Sequence, residues 1–236
     1  MDLKASRSDH YYALLKSYFS QDASGRKGFY TPTEKEEILR HIRTRDMWSI
    51  YTSCLDGLIV DNTEMKDVVD LGCGMGHFVL ELEQRDHFNR IVGVDFLRNT
   101  FQLALESNGL FDGVSFIEGD ILRLPFPSRS FDVSFCLNVL HHIHRDDIAQ
   151  VIDEIKRITK QSIIIEIRNR DYLFNFWYAY VVHRRYKHLP MNTMSVGDLM
   201  TCLNPFTCIR IIGKRRFHRL SRRLVLIFQR KGSEEE

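Results

Sequence analysis

From residue 67 onward, short runs of apolar residues alternate with stretches in which apolar positions recur every three to four residues. The first pattern suits strands buried on both faces and the second suits helices with one apolar side. It predicts strands over 67–71, 90–95, 114–118, 131–137 and 162–168, with helices near 76–86, 97–108 and 146–160. The last helix is the most regular, because Ile148, Val151, Ile152, Ile155 and Ile158 fall on one face. Strands that alternate with helices build a parallel sheet covered on both sides, so the fold class is α/β, doubly wound and Rossmann-like. Ser195 is placed to cap a short helix through Leu203, and two β-rich runs follow at 206–217 and 222–230. So few residues separate those runs that they must pair antiparallel, which ends the sheet in a hairpin.

Ahead of the first strand the rhythm is helical. Tyr11, Tyr12, Leu14, Leu15, Tyr18 and Phe19 recur along one helix side over 9–20, and a loop follows at 20–31. Pro32-Thr33-x-x-Glu36 has the form of a capping box and opens a helix with Ile38, Leu39 and Ile42 inward. Met47, Tyr51, Cys54, Leu55 and Leu58 continue the pattern up to Asp61-Asn62. The expected division is therefore a helical extension over 1–62, able to cap a site, and an α/β domain over 63–236 with an insertion at 169–194.

The stretch richest in chemistry is Val68-Val69-Asp70-Leu71-Gly72-Cys73-Gly74-Met75-Gly76-His77-Phe78. A strand stops at an acidic residue, three glycines alternate, and a helix begins at once. Glycine accepts positive φ, and its missing Cβ lets a ligand approach the backbone. Free N–H groups at the helix start, with the dipole behind them, favour negative charge, so a nucleotide-type cofactor is expected. The dinucleotide fingerprint G-x-G-x-x-G is not met, because its last position is His77 and the third glycine stands at Gly76. The form D-x-G-x-G-x-G resembles instead the first motif of class I S-adenosylmethionine-dependent methyltransferases.

Three later segments extend that likeness. Ile91-Val92-Gly93-Val94-Asp95-Phe96 is a strand ending in a carboxylate, about 20 residues past the turn, the spacing that reaches ribose hydroxyls. Phe116-Ile117-Glu118-Gly119-Asp120-Ile121 ends the third strand. The resemblance implies that Asp120 accepts from the adenine amino group and that the backbone of Ile121 meets the ring. Cys136-Leu137-Asn138-Val139-Leu140-His141-His142-Ile143 ends the fourth strand, where a ligand of an open parallel sheet lies. With Phe131-Asp132-Val133 ahead of it, this segment resembles the type-11 methyltransferases, which include enzymes of small molecules, quinones and lipids. The likeness covers roughly residues 66–168 and implies a seven-stranded sheet, S-adenosyl-L-methionine as cofactor, and Asp70, Gly72, Gly74, Asp95, Phe96, Asp120, Ile121 and Asn138 around it. It departs at Thr159-Lys160-Gln161-Ser162, where the family has a Lys-Pro-Gly-Gly turn. Methyltransferases of adenine exocyclic amines or glutamine amides usually carry Asn/Asp-Pro-Pro-aromatic where this chain has Asn138-Val139-Leu140-His141, which argues against that class.

Methyl transfer from a sulfonium needs alignment and desolvation, and a base only where the acceptor must lose a proton. His142, then His141, are the candidates, because imidazole titrates near neutrality. Helix capping is the plainer role for a histidine at a strand end. Six aromatics over 172–182, followed by Arg184, Arg185 and Lys187, suit an amphipathic or anionic apolar acceptor as well as they suit a packed helix.

Composition narrows the rest. A net charge of +2 leaves no global field for nucleic acid. The basic run Lys214-Arg215-Arg216-Phe217-His218-Arg219-Leu220-Ser221-Arg222-Arg223 is the exception, readable as a solvated edge or as a contact for phosphates or a membrane surface. Five scattered cysteines without C-x-x-C argue against a disulfide framework or metal site and for a reducing, cytoplasmic setting. Met1-Asp2-Leu3-Lys4 lacks the apolar stretch of a signal peptide, and no run is long enough to span a bilayer. The leading expectation is methyl transfer to a small amphipathic, lipid-linked or quinone-like acceptor. The alternatives are an RNA methyltransferase using the basic 214–223 hairpin, and a cofactor-binding protein without turnover.

Overall fold

Beginning at Asp67, the chain lays down three parallel strands outward and then returns to build the rest of its sheet on the other side of the first. The computed structural model describes residues 11–13, 15–17, 47–61, 65–106, 113–173, 192–215 and 217–231. The capping box at residues 33–36 and the aromatic insertion from residue 174 to 191 lie outside them.

Strands β1 (Asp67–Leu71), β2 (Arg90–Asp95), β3 (Val114–Glu118), β4 (Phe131–Cys136), β5 (Thr159–Arg168), β6 (Phe206–Gly213) and β7 (Arg223–Arg230) form one seven-stranded sheet. Their order is β3-β2-β1-β4-β5-β7-β6. The first five are parallel and β7 runs antiparallel to both neighbours, so the fold is the expected Rossmann-like one with a terminal hairpin. The order reverses between β1 and β4, which opens the crevice beyond their carboxyl ends.

Each strand feeds two cores because successive side chains point to opposite faces. Val68 packs with α1 (Trp48–Asp61), α2 (His77–Glu83) and α3 (Arg98–Glu106), whereas Val69 and Leu71 pack with α4 (Ile148–Ile158) and α5 (Val196–Cys202). All five isoleucines and valines predicted for the inner face of α4 are buried. Each contributes about 1.5–3 kcal/mol of gross burial energy. Helix α1, assigned above to the extension, sends Trp48, Tyr51, Cys54, Leu55 and Leu58 into the same core as β1, so no break between cores falls at residue 62.

Element ends differ from the predicted ones for local reasons. Strand β5 starts at Thr159, directly after α4, so at the departure over 159–162 the strand takes the place of a turn. The Thr159 hydroxyl donates to the Ile155 carbonyl at 2.6 Å and meets Ser134 Oγ at 2.6 Å, which ties the helix end to β4 as it becomes strand. Strand β6 stops at Gly213, short of residue 217, because Ser221 Oγ accepts from Arg215 N at 2.9 Å and folds the tip over. Helix α5 is capped as predicted: Ser195 Oγ accepts from Asp198 N at 3.1 Å and the Asp198 carboxylate accepts from Ser195 N.

Candidate active site

The site begins where β1 ends. Gly72 has φ +75°, and a Cβ there would lie 2.3 Å from Cγ2 of Val139. This glycine therefore lets the loop after β4 close onto the loop after β1. Gly74, at φ +53°, has nothing within 4 Å of where its Cβ would be, so here the missing side chain leaves room for a ligand.

The amides of this loop are not the anion cradle that the glycine pattern predicted. Gly72 N and Cys73 N donate to the Val94 carbonyl at 2.7 and 2.9 Å, Gly74 N donates to Asp95 Oδ2 at 2.9 Å, and Gly76 N donates to the Cys73 carbonyl at 2.9 Å. Four N–H groups are thus spent on the end of β2 and on the turn itself. The left-handed turn needed the glycines for its path, and that path aims the amides inward.

Asp95 closes β2 and is buried, with Oδ2 on Gly74 N and Oδ1 accepting from Leu97 N at 3.0 Å. Burial raises its pKa, and the hydrogen bonds from Gly74, Leu97 and Thr100 offset part of that rise. Asp70, also buried, is pushed up to about 8, first by desolvation and then by the charge of Asp95. Both line a cavity of about 1400 Å³, together with Gly72, Gly74, Phe96, Glu118, Asp120 and Ile121. Asp120 is exposed, and its Oδ1 accepts from Leu122 N at 2.9 Å, so it shapes its own turn while lining the cavity. This part of the cavity is acidic and repels phosphate, whereas a cationic ligand relieves the repulsion between Asp70 and Asp95.

At the end of β4 the chain takes Asn138 through φ 62° and then forms a tight turn over Leu140–His142. Asn138, Val139 and His142 line the cavity. His141 does not. It is buried at 4% exposure, with Nε2 3.4 Å from Arg168 Nη2. The two imidazoles lie 3.9 Å apart between centroids, tilted by 42° to each other. Burial holds His141 well below its ordinary pKa, with His142, Arg168 and Arg223 adding to the effect. Burial and then Arg168 bring His142 down to about 4. Both rings are neutral at physiological pH, and His142 alone of the two reaches the cavity.

The N-terminal turn covers this end. Tyr11 OH donates to the His142 carbonyl at 2.7 Å, and Tyr12 OH donates to Asp147 Oδ2 at 2.8 Å. Lys16 lies 5.9 Å from the centre of the Phe96 ring, and Tyr12, Leu15 and Lys16 line the cavity.

Three site residues were not predicted. Tyr51 from α1, Glu166 from β5 and Arg223 from β7 form one network, in which Tyr51 OH donates to Glu166 Oε2 and accepts from Arg223 Nη2 at 2.6 Å. A sequence signal existed for Glu166, a lone carboxylate within the isoleucine run 163–167. Arg223 was counted with the solvated hairpin tip, but its side chain is 12% exposed and turns to the cavity. Among the described residues no group of three or more His, Cys, Asp or Glu is placed to hold a metal ion, and no helix is long and apolar enough to cross a membrane.

Comparison with known proteins agrees with this geometry. Residues 68–162 match the family of the methyltransferase domain. A sterol 24-C-methyltransferase of Pneumocystis carinii is 26% identical over 162 residues, 66% of this chain and 40% of that protein. A demethylmenaquinone methyltransferase of Deinococcus radiodurans is 41% identical over 70 residues, 29% of each. The chain thus spans less than half of the length of these curated relatives. Magnesium protoporphyrin IX methyltransferase of Synechocystis PCC 6803, solved with bound SAH, superposes with TM-score 0.67 at 17% identity, over 93% of this chain and 100% of that one. The N-methyltransferase NodS of Bradyrhizobium japonicum WM9, also solved with SAH, gives 0.61 at 15% identity, covering 81% and 91%. The chain thus has the fold of these solved methyltransferases, and its residues 68–162 are similar to the methyltransferase domain.

Proposed function

We propose that this chain transfers the methyl group of S-adenosyl-L-methionine to a small, amphipathic acceptor of lipid-linked or quinone-like character. The observation that carries the cofactor assignment is the acidic, phosphate-repelling cavity at the ends of β1 and β2. A dinucleotide would bring a pyrophosphate to amides already spent and carboxylates already crowded. A nucleoside with a sulfonium brings positive charge to Asp70 and Asp95. When bound, S-adenosylmethionine supplies an activated methyl group, and the protein's part is alignment and exclusion of water.

The residues divide that part among themselves. Asp95 accepts from the ribose hydroxyls, as both oxygens retain accepting capacity beside their amide bonds. Asp120 and the backbone of Ile121 meet the purine edge, and Gly74 leaves the space. His142, neutral above pH 5 or so, is ready to accept a proton, and its low basicity suits a passing role in the transition state. The cavity exceeds the roughly 300–1,000 Å³ that one drug-sized ligand fills, which leaves a place for the acceptor. The relatives named for sterols, demethylmenaquinone and magnesium protoporphyrin IX all take largely apolar frameworks, and this supports an apolar acceptor body. At the hairpin tip, exposed Phe217 and Leu220 among Lys214, Arg215, Arg219 and Arg222 suit peripheral contact with an anionic membrane surface. The cysteine usage supports a cytoplasmic setting.

Titration calorimetry with S-adenosylhomocysteine tests the cofactor site, with binding expected for the wild type and lost in Asp95→Ala. No heat with either cofactor form sinks the reading. Labelled methyl groups appearing in the lipid fraction of an extract support the acceptor class, while label confined to RNA replaces it with the nucleic-acid alternative.

A further inference from the structure

The turn that joins β6 to β7 lies at the same end of the sheet as the cavity. Arg168, the last residue of β5, pairs with Arg223, the first of β7, and Leu224 pairs with Gly213, the last of β6. Residues 214–222 therefore sit beyond the carboxyl end of β5, and Arg223, directly after them, lines the cavity. Asn169 N donates to the Arg222 carbonyl at 2.9 Å and Leu173 N to the Arg219 carbonyl at 2.8 Å, so the chain leaving β5 is bonded to the same tip.

One-signed charge and exposed apolar surface coincide there. Between residues 199 and 233 the chain has nine arginines and lysines and no aspartate or glutamate. Of these, Lys214, Arg215, Arg219 and Arg222 are exposed at the tip. Among the described residues five large apolar side chains are exposed, and three of them belong to this tip: Leu173 at 64%, Phe217 at 67% and Leu220 at 40%. Leu173 stands outside the basic run and joins it only through the fold. A solvated turn accounts for the charges and leaves the apolar side chains unexplained, since covering each of them is favourable. A second copy of this chain brings the same positive charge to the contact, which opposes self-association. The phosphates of a nucleic acid engage the charges alone. An anionic bilayer matches both properties, with phosphates at its surface and acyl chains beneath.

We propose that this tip is a docking face for an anionic lipid bilayer, and that the methyl acceptor enters the cavity from that bilayer. The second clause rests on the proposed function, and the docking itself does not. Docked by its tip, the chain brings the cavity's end of the sheet to the lipid surface, and an acceptor with an apolar body passes between them without crossing water.

Cosedimentation of the full chain with vesicles of equimolar phosphatidylglycerol and phosphatidylcholine tests the docking. Binding is expected there and should be at least about tenfold weaker with phosphatidylcholine alone. Lys214→Gln with Arg219→Gln should weaken it about twentyfold, at roughly fivefold for each basic residue near the surface. Phe217→Ser with Leu220→Ser keeps every charge and should weaken it about tenfold. None of these four residues lines the cavity, so S-adenosylhomocysteine affinity should stay unchanged in both variants, which also shows that they fold. Equal binding to the two kinds of vesicle overturns the docking face, as does full binding by the Phe217 and Leu220 variant. Retention of RNA that the charge variant loses and the apolar variant keeps, with no vesicle binding, gives the tip to nucleic acid instead. Entry from the bilayer is tested by labelled methyl transfer into a total lipid extract, offered as vesicles or dispersed in detergent micelles. The apolar variant should lose transfer to vesicles and keep transfer to micelles, and an equal effect on both overturns that clause. If S-adenosylhomocysteine gives no heat with the wild type, the cofactor reading fails, and cosedimentation still decides the docking.

Discussion

The cavity has two chemically opposite regions. At β1 and β2 it presents carboxylates, Asp70 and Asp95, and at the ends of β4 and β7 it presents His142 and Arg223, with His141 and Arg168 next to them outside the lining. Desolvation acts on both regions in the same sense, toward neutral groups: it lifts Asp70 to about 8 and lowers His142 to about 4. The arginines escape this because guanidinium does not give up its proton in proteins. One region is therefore a titratable acidic wall that a cation restores to full charge, and the other holds an arginine ion-paired with buried Glu166 beside a neutral histidine.

Four measurements break or sharpen this contrast. The largest effect is expected in the acidic region. Asp95→Ala removes the proposed acceptor of two ribose hydroxyls, at about 1.5–3 kcal/mol for each charge-assisted bond, and should weaken S-adenosylhomocysteine at least about a hundredfold by calorimetry. The same variant strips the acceptor from the Gly74 and Leu97 amides, so its urea midpoint should fall as well.

Next comes the contact where the two regions meet. Gly72→Ala places a methyl group 2.3 Å from Val139 in a left-handed conformation, and should cost about 2–3 kcal/mol in urea unfolding. Adding Val139→Ala should recover the steric share and leave about 1 kcal/mol of backbone strain. Full recovery would show that the positive φ carries no cost.

The third effect is a pH dependence. A sulfonium favours ionised Asp70, so affinity for S-adenosylmethionine should rise relative to S-adenosylhomocysteine as pH increases toward about 8 and level off above it. One linked proton limits the slope to about tenfold per pH unit. The ratio of the two ligands cancels the titration of their shared amino group, and a flat ratio detaches Asp70 from the sulfonium.

The smallest effect concerns the basic region. His142 titrates near 4 in the folded chain and near 6.5 in the unfolded one, so between these values only the unfolded chain takes up the proton. Its contribution to stability is therefore present above pH 6.5 and lost as pH falls toward 4. Denaturation midpoints measured across that window should vary less in His142→Gln than in the wild type. The slope that remains belongs in part to His141, which is depressed by the same burial.

How much of this was legible depended on the range of each interaction. The five isoleucines and valines of α4 and the Ser195 cap of α5 depend on neighbours within a turn or two, and periodicity places them correctly. The glycine turn was legible as a path but not as a donor set, because its amides turn to Val94 and Asp95, whose position relative to β1 is set by strand pairing. Arg223 was misjudged for a related reason. As one of several basic residues in a row it reads as solvated, and only the register of β7 on β5 turns it toward Asn138 while Arg222 stays exposed.

By itself, the chain's pattern of apolar residues, glycines and strand-end acids determined the order of strands and helices and the line of carboxylates from Asp70 to Asp120, since each depends on local periodicity and turn chemistry. Only the tertiary structure decided that Tyr51, Glu166 and Arg223, separated by 115, 57 and 172 positions pair by pair, share one network. The physical reason is that contacts across such separations come from sheet register and helix docking, which leave no period in the sequence that they join.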